Sequence, residues 1–282
     1  MNNYNILGKK RSLFGSLKIN TILVIVNVIA FIFIQILLSI NPDFLKYIAL
    51  NPSNILHGRF LWTFLTSIFS HVAFWHLAFN MISLFFVGGL VEKIIGPKRY
   101  LFFYIASGLF AGIVFVLFAG FFGASPIGAK LFGDPGIFGV GASGAIFGLV
   151  GLLAVLIPKK RIYLIAGPLA AIILQAVIQA IFPNNSFSNI IDILVTIYIF
   201  ISIFLMFSFN SRIKKIILPI EMPFWIIPIA AIVPLIIISL FVPLPIGNSA
   251  HFGGLVLGLI YGIYLKSKFP KKTQMISKVL SR

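Results

Sequence analysis

Long apolar runs separated by short polar ones set the pattern of this chain. A membrane-spanning helix needs about 20 apolar residues. On that measure the hydropathy predicts eight spans, at about 19–40, 72–92, 100–122, 143–157, 162–182, 189–209, 222–242 and 249–266. Between the first two, residues 41–71 mix prolines with Phe44, Leu45, Tyr47, Ile48, Leu50, Phe60, Leu61 and Trp62. That segment is too apolar for a free loop and too broken for a span, so it is expected in the membrane interface. The fourth run is short. From Ser143, roughly 15 residues at about 1.5 Å each cover about 22 Å, less than the ~30 Å hydrocarbon core. Its start is therefore expected below the outer surface, in a water-filled dip, because irregular backbone at that depth cannot face lipid. The first run follows Lys9-Lys10-Arg11 as a signal peptide would. It is too long for a typical signal core and no small-residue cleavage site follows, so a retained span is expected.

Composition agrees with this reading. Apolar residues make up 60% of the chain and charged residues 10%, against about 25% charged in soluble domains, and mean hydropathy is +1.11. The absence of cysteine excludes disulfides, thiolate metal sites and a cysteine nucleophile. A net charge of +17 would suit nucleic acid, but the placement of the charges points elsewhere. Of 22 Lys and Arg, 19 fall in the N-terminal stretch, alternate connections and the C-terminal stretch, leaving only Lys46, Arg59 and Lys130 on the other side. That is the positive-inside pattern. It predicts both termini in the cytoplasm of a multi-pass cell-membrane protein, with a secondary attraction to anionic lipid and no nucleic-acid partner.

Candidate chemistry centres on Gly139-Val-Gly-Ala-Ser143-Gly-Ala-Ile-Phe-Gly148, where a glycine-rich loop runs into an apolar segment. Ser143 stands at a helix N-terminus, and flanking glycines leave backbone N–H groups free to face a developing oxyanion. Small residues at such places equally serve close helix packing in membranes. The last span opens with Asn248-Ser-Ala-His251-Phe-Gly-Gly254 and continues through Gly258 and Gly262. Its glycines recur every four residues and match the smooth face of Gly144, Gly148 and Gly151. Packing the two faces together brings Ser143 and His251, which enter from the same side, within hydrogen-bonding reach.

Ionisable groups inside spans are costly and mark functional sites. His71, His76 and His251 lie at outer ends of spans, whereas His57 lies in the interfacial segment and has no assigned role. His71 and His76 are five residues apart, about 500° of helix turn, so they do not share a face as a zinc pair would. No metal is expected. His76 and Asn80, four apart, do share a face and present donors suited to an oxyanion hole. Only five acids exist: Asp43, Glu92, Asp134, Asp192 and Glu221. None is brought beside His251 by spacing, which favours a Ser–His dyad over a triad. Phe147, one turn after Ser143, is placed either to stack on His251 or to pack as an ordinary span residue.

Trp62-Thr-Phe-Leu-Thr66, His71-x4-His76-x3-Asn80, Gly88-Gly-Leu-Val-Glu92-x3-Gly96, Gly141-Ala-Ser143-Gly144 and Ala250-His251-x2-Gly254-x3-Gly258 together resemble the rhomboid intramembrane serine proteases. The resemblance covers about residues 20–160 and 215–266. It implies an all-α polytopic membrane fold that cleaves transmembrane protein substrates in the lipid bilayer, with no cofactor. Ser143 is then the nucleophile and His251 the base, with His76, Asn80 and the backbone around Gly141 and Ala142 as the oxyanion hole. Phe147, Gly254 and Gly258 support them. The family's first-loop Trp-Arg pair stands here as Trp62-Thr63. Its six-span core has one span between the serine and histidine helices where this chain has three. Residues 162–212 are thus expected to be an inserted two-helix hairpin within a membrane domain at 19–266, flanked by tails at 1–18 and 267–282. An inactive rhomboid-like protein that binds client helices is the alternative. A transporter is disfavoured because no inverted repeat is evident.

Overall fold

The computed structural model describes residues 18–183, 185–206, 216, 218–241 and 247–280. The basic clusters at Lys9, Lys10 and Arg11 and at Arg212, Lys214 and Lys215 lie outside the described residues.

Helix α1 (Ile19–Ile40) is predominantly apolar and leaves Ile29, Ile32 and Phe33 exposed, as suits lipid rather than water. Its first N–H groups, which no intrahelical carbonyl can satisfy, are capped by a side chain distant in sequence. Glu92 accepts from Ile19 N–H at 2.8 Å and Asn20 N–H at 3.1 Å. A 3₁₀ turn (Pro42–Phe44) and the short helices α2 (Leu45–Ile48), α3 (Pro52–Leu56) and α4 (Thr63–Phe69) occupy the interfacial segment. Helix α5 (Phe74–Ile95) carries a π-helical turn at Leu84–Gly88. Asn20 is inserted beside that turn. Its amide donates to Phe85 O at 3.1 Å, and its oxygen accepts from Tyr100 O–H at 2.6 Å. Gly96 ends α5 at φ 84° and Pro97 opens α6 (Pro97–Phe122), the usual placing of the two residues. Helices α1, α5 and α6 are each long and apolar enough to cross a membrane.

A short helix α7 (Pro126–Phe132) leads toward α8 (Ser143–Leu156), whose 14 residues rise about 21 Å. Helix α8 is the centre of the fold, with Ala145, Leu149, Leu152 and Leu153 almost fully buried. Against it lies α12 (Asn248–Lys268). A methyl group on Gly254 would run into Gly144 O, one on Gly258 into Gly148 O, and one on Gly148 into Ser107 of α6. The backbones touch because no side chains intervene.

Three expectations change. Residues 162–165 are not the start of a span. Strand β1 (Arg161–Ile165) pairs antiparallel with β2 (Pro219–Pro223), Arg161 opposite Pro223 and Ile165 opposite Pro219. The fold is therefore mostly helical rather than all-α. An apolar run of this length reads alike as strand or helix, and here the decision rests on a partner far along the chain. The helix after β1 is α9 (Ala166–Ile181), which packs on α10 (Ser186–Met206). Gln179 donates to Asp192 between them. The expected span at 222–242 begins only at α11 (Ile227–Phe241), after a 3₁₀ turn at Phe224–Ile226. The C-terminal stretch forms α13 (Pro270–Leu280), whose Ile276 and Leu280 pack against the core.

Candidate active site

Ser143 is the first residue of α8, and His251 lies one turn into α12. With α8 and α12 in backbone contact, Ser143 Oγ lies 2.8 Å from His251 Nε2, within hydrogen-bond distance. The Phe147 ring is stacked on the imidazole, with centroids 4.4 Å apart and planes 16° from parallel. His251 is buried, and its Nδ1 has no hydrogen-bond partner among the described residues. With Nε2 accepting from the serine, Nδ1 carries the proton. The ring is thus held by Phe147 and helix packing rather than by a carboxylate.

The loop before Ser143 is fixed by the interfacial segment. Leu50 and Gly139 exchange backbone hydrogen bonds of 2.9 and 2.7 Å, and Asn51 Nδ2 donates to Gly136 O at 2.7 Å. Gly141 has φ +123°, and a Cβ there would stand 2.6 Å from His76 Cε1. Only glycine meets both conditions. Gly141 N–H donates to Ser67 O at 2.9 Å, and Ala142 N–H to His71 Nε2 at 3.4 Å. In this structure these two N–H groups hold the loop before Ser143. The N–H groups of Ser143, Gly144 and Ala145 head α8, where a helix supplies no acceptor; Ile146 N–H is the first to bond back, to Ala142 O at 3.0 Å.

His71 is completely buried beside His76, ring centroids 5.0 Å apart. It lies outside α5, and burial, aided by the His76 charge, pushes its imidazole down to about 3, so the ring is neutral and can accept from Ala142. Asn80 Nδ2 donates to His76 O at 2.8 Å, which leaves its second N–H for another acceptor. Ser67, Asn51 and His71 as loop anchors were not legible in the sequence, since each acts on backbone far along the chain. The Trp62-Thr63 departure has a local answer. Thr63, fully buried, donates to Phe60 O at 2.7 Å, and Trp62 Nε1 donates to Tyr47 O at 2.9 Å.

A helical membrane protein with a serine and a histidine in contact across two glycine-faced helices is the class that this geometry defines. A family model described as Rhomboid domain matches residues 58–208, and the chain belongs to the rhomboid family. The matched residues include His76, Asn80 and Ser143 and end before His251. The chain is 32% identical over 127 residues to Rhomboid protease GluP of Bacillus subtilis, covering 45% of this chain and 22% of that protein. It is 36% identical over 134 residues to RHOMBOID-like protein 1 of Arabidopsis thaliana, covering 47% and 30%. To Rhomboid protein 1, mitochondrial, of Saccharomyces cerevisiae it is 36% identical over 104 residues, covering 36% and 27%. The matches thus span less than a third of each of these relatives.

Proposed function

We propose that the protein is an intramembrane serine endopeptidase that cleaves transmembrane protein substrates. The single observation that carries this reading is the 2.8 Å approach of Ser143 Oγ to His251 Nε2. Ser143 Oγ attacks the scissile carbonyl carbon while its proton passes to His251 Nε2, and the carbonyl oxygen becomes an oxyanion. The donors we assign to that oxygen are the Ser143 N–H, the second N–H of Asn80 and the His76 ring. Collapse of the tetrahedral adduct breaks the C–N bond, and the imidazolium returns its proton to the leaving amine. Water, deprotonated by His251, then releases the acyl group and restores Ser143. Both chemical groups are present, which counts against the inactive, client-binding alternative.

The fold proposed for this activity has six core spans (α1, α5, α6, α8, α11 and α12), with β1, α9 and α10 as an insertion. Two more helices give eight spans, both termini cytoplasmic. An even insertion leaves α12 entering from the same side as α8, as the dyad needs. Labelling of the purified protein by a fluorophosphonate tests the site. Covalent labelling that is lost in Ser143→Ala is expected, and no labelling of the parent protein would favour the inactive alternative.

A further inference from the structure

Arg99 of α6 and Lys272 of α13 share a cavity of about 170 Å³, otherwise walled by Ile94, Ile95, Leu156, Leu265, Phe269 and Ile276. Both cations are exposed, and an anion held between them would be attracted by both. No acidic side chain among the described residues lines the cavity. Asp43 lies 3.9 Å from Lys46, Glu221 lies 3.8 Å from Arg161, Glu92 caps α1, Asp134 accepts from Gly136 N–H and Asp192 accepts from Gln179. Those are all five acidic residues. Thr273, also on the cavity, spends its hydroxyl on the Phe269 and Pro270 carbonyls.

Helix α13 forms one wall of the cavity and is tied down by Lys160 Nζ, which donates to Leu280 O at 3.0 Å. Its outer side displays Met275 and Val279, 61% and 65% exposed, among Lys271, Lys272 and Lys278. Apolar side chains set among lysines on an exposed helix suit the boundary between headgroups and acyl chains. Lys93, Lys98, Lys266 and Lys268, close in sequence to the lining residues, belong to the basic clusters that the positive-inside rule assigns to the cytoplasmic side, where the leaflet carries anionic lipid.

We infer that this cavity binds an anionic phospholipid of the cytoplasmic leaflet, its phosphate between Arg99 and Lys272 and the head of an acyl chain against Ile94, Ile95, Leu265 and Ile276. The inference rests on the membrane location and the charge inventory and is independent of the protease reading. Native mass spectrometry of the full chain in detergent tests it, with dioleoyl phosphatidylglycerol, dioleoyl phosphatidylcholine and inorganic phosphate as probes. Phosphatidylglycerol retention should exceed phosphatidylcholine retention by about tenfold, and Arg99→Gln with Lys272→Gln should remove that difference. Ile276→Trp, which fills the cavity and keeps both charges, should lower phosphatidylglycerol retention as well. Inorganic phosphate should leave the lipid in place. Equal retention of the two lipids, or displacement by inorganic phosphate, would overturn the inference. So would unchanged phosphatidylglycerol retention in the charge variants or, where these do not fold, in Ile276→Trp.

Discussion

Ser143 is a weak nucleophile unless His251 takes its proton, so in the proposed chemistry neither residue works alone. Ser143→Ala, His251→Ala and the double variant should all be close to inactive on a transmembrane substrate, without additive losses. Cleavage by the parent protein should rise with pH as the imidazole loses its proton, because only the neutral ring accepts from serine. Substantial cleavage by His251→Ala would remove it as the base. Asn80→Ala should slow turnover by about 10²–10³, the usual cost of one oxyanion donor, with fluorophosphonate labelling of Ser143 as the check that the fold persists. An unchanged rate would take Asn80 out of the site.

Among the elements, the α8–α12 contact decides whether the pair exists at all. Gly254 and Gly258 lie against the Gly144 and Gly148 carbonyls, so a side chain there must part the helices. Gly258→Leu should destabilise by about 1–3 kcal/mol or more, as overpacking does, and should also weaken Ser143 labelling although it lies two turns from His251. Thermal denaturation in detergent alongside labelling reads both effects; loss of neither would mean that the helices are not in backbone contact. At the other end, Glu92→Ala leaves the Ile19 and Asn20 N–H groups without their acceptor. A cost of about 1–3 kcal/mol is expected, seen as a lower unfolding midpoint.

For the molecule as a whole, the prediction concerns topology. The proposed eight-span arrangement, argued from the Lys and Arg clusters, would have Lys160 and Lys214 inside and Lys130 outside. Single cysteines introduced at these positions into this cysteine-free chain should be labelled by a membrane-impermeant reagent from outside only at residue 130. Outside labelling at residue 160 or 214 would overturn the proposed eight-span arrangement, and with it the reading of α9–α10 as an even insertion.

Much of this was readable from residue order, because the physical causes are local. A run of about 20 apolar residues has no alternative to a helix in lipid, so α1, α5 and α6 follow from hydropathy. Glycine every four residues makes a smooth helical face wherever the helix sits, and the Gly-x-Ser-Gly run marked the start of α8. Features that depend on a partner distant in sequence were not readable. The β1–β2 ribbon joins residues 161–165 to 219–223, and neither run alone distinguishes strand from helix. Glu92 could be recognised as an acid at the end of a span but not as the cap of α1. The Gly141 and Ala142 N–H groups looked free because their acceptors, Ser67 O and His71 Nε2, lie more than 70 residues earlier in the chain. Which backbone donors remain for an oxyanion is a matter of competition among hydrogen bonds, and only the folded chain determines who competes.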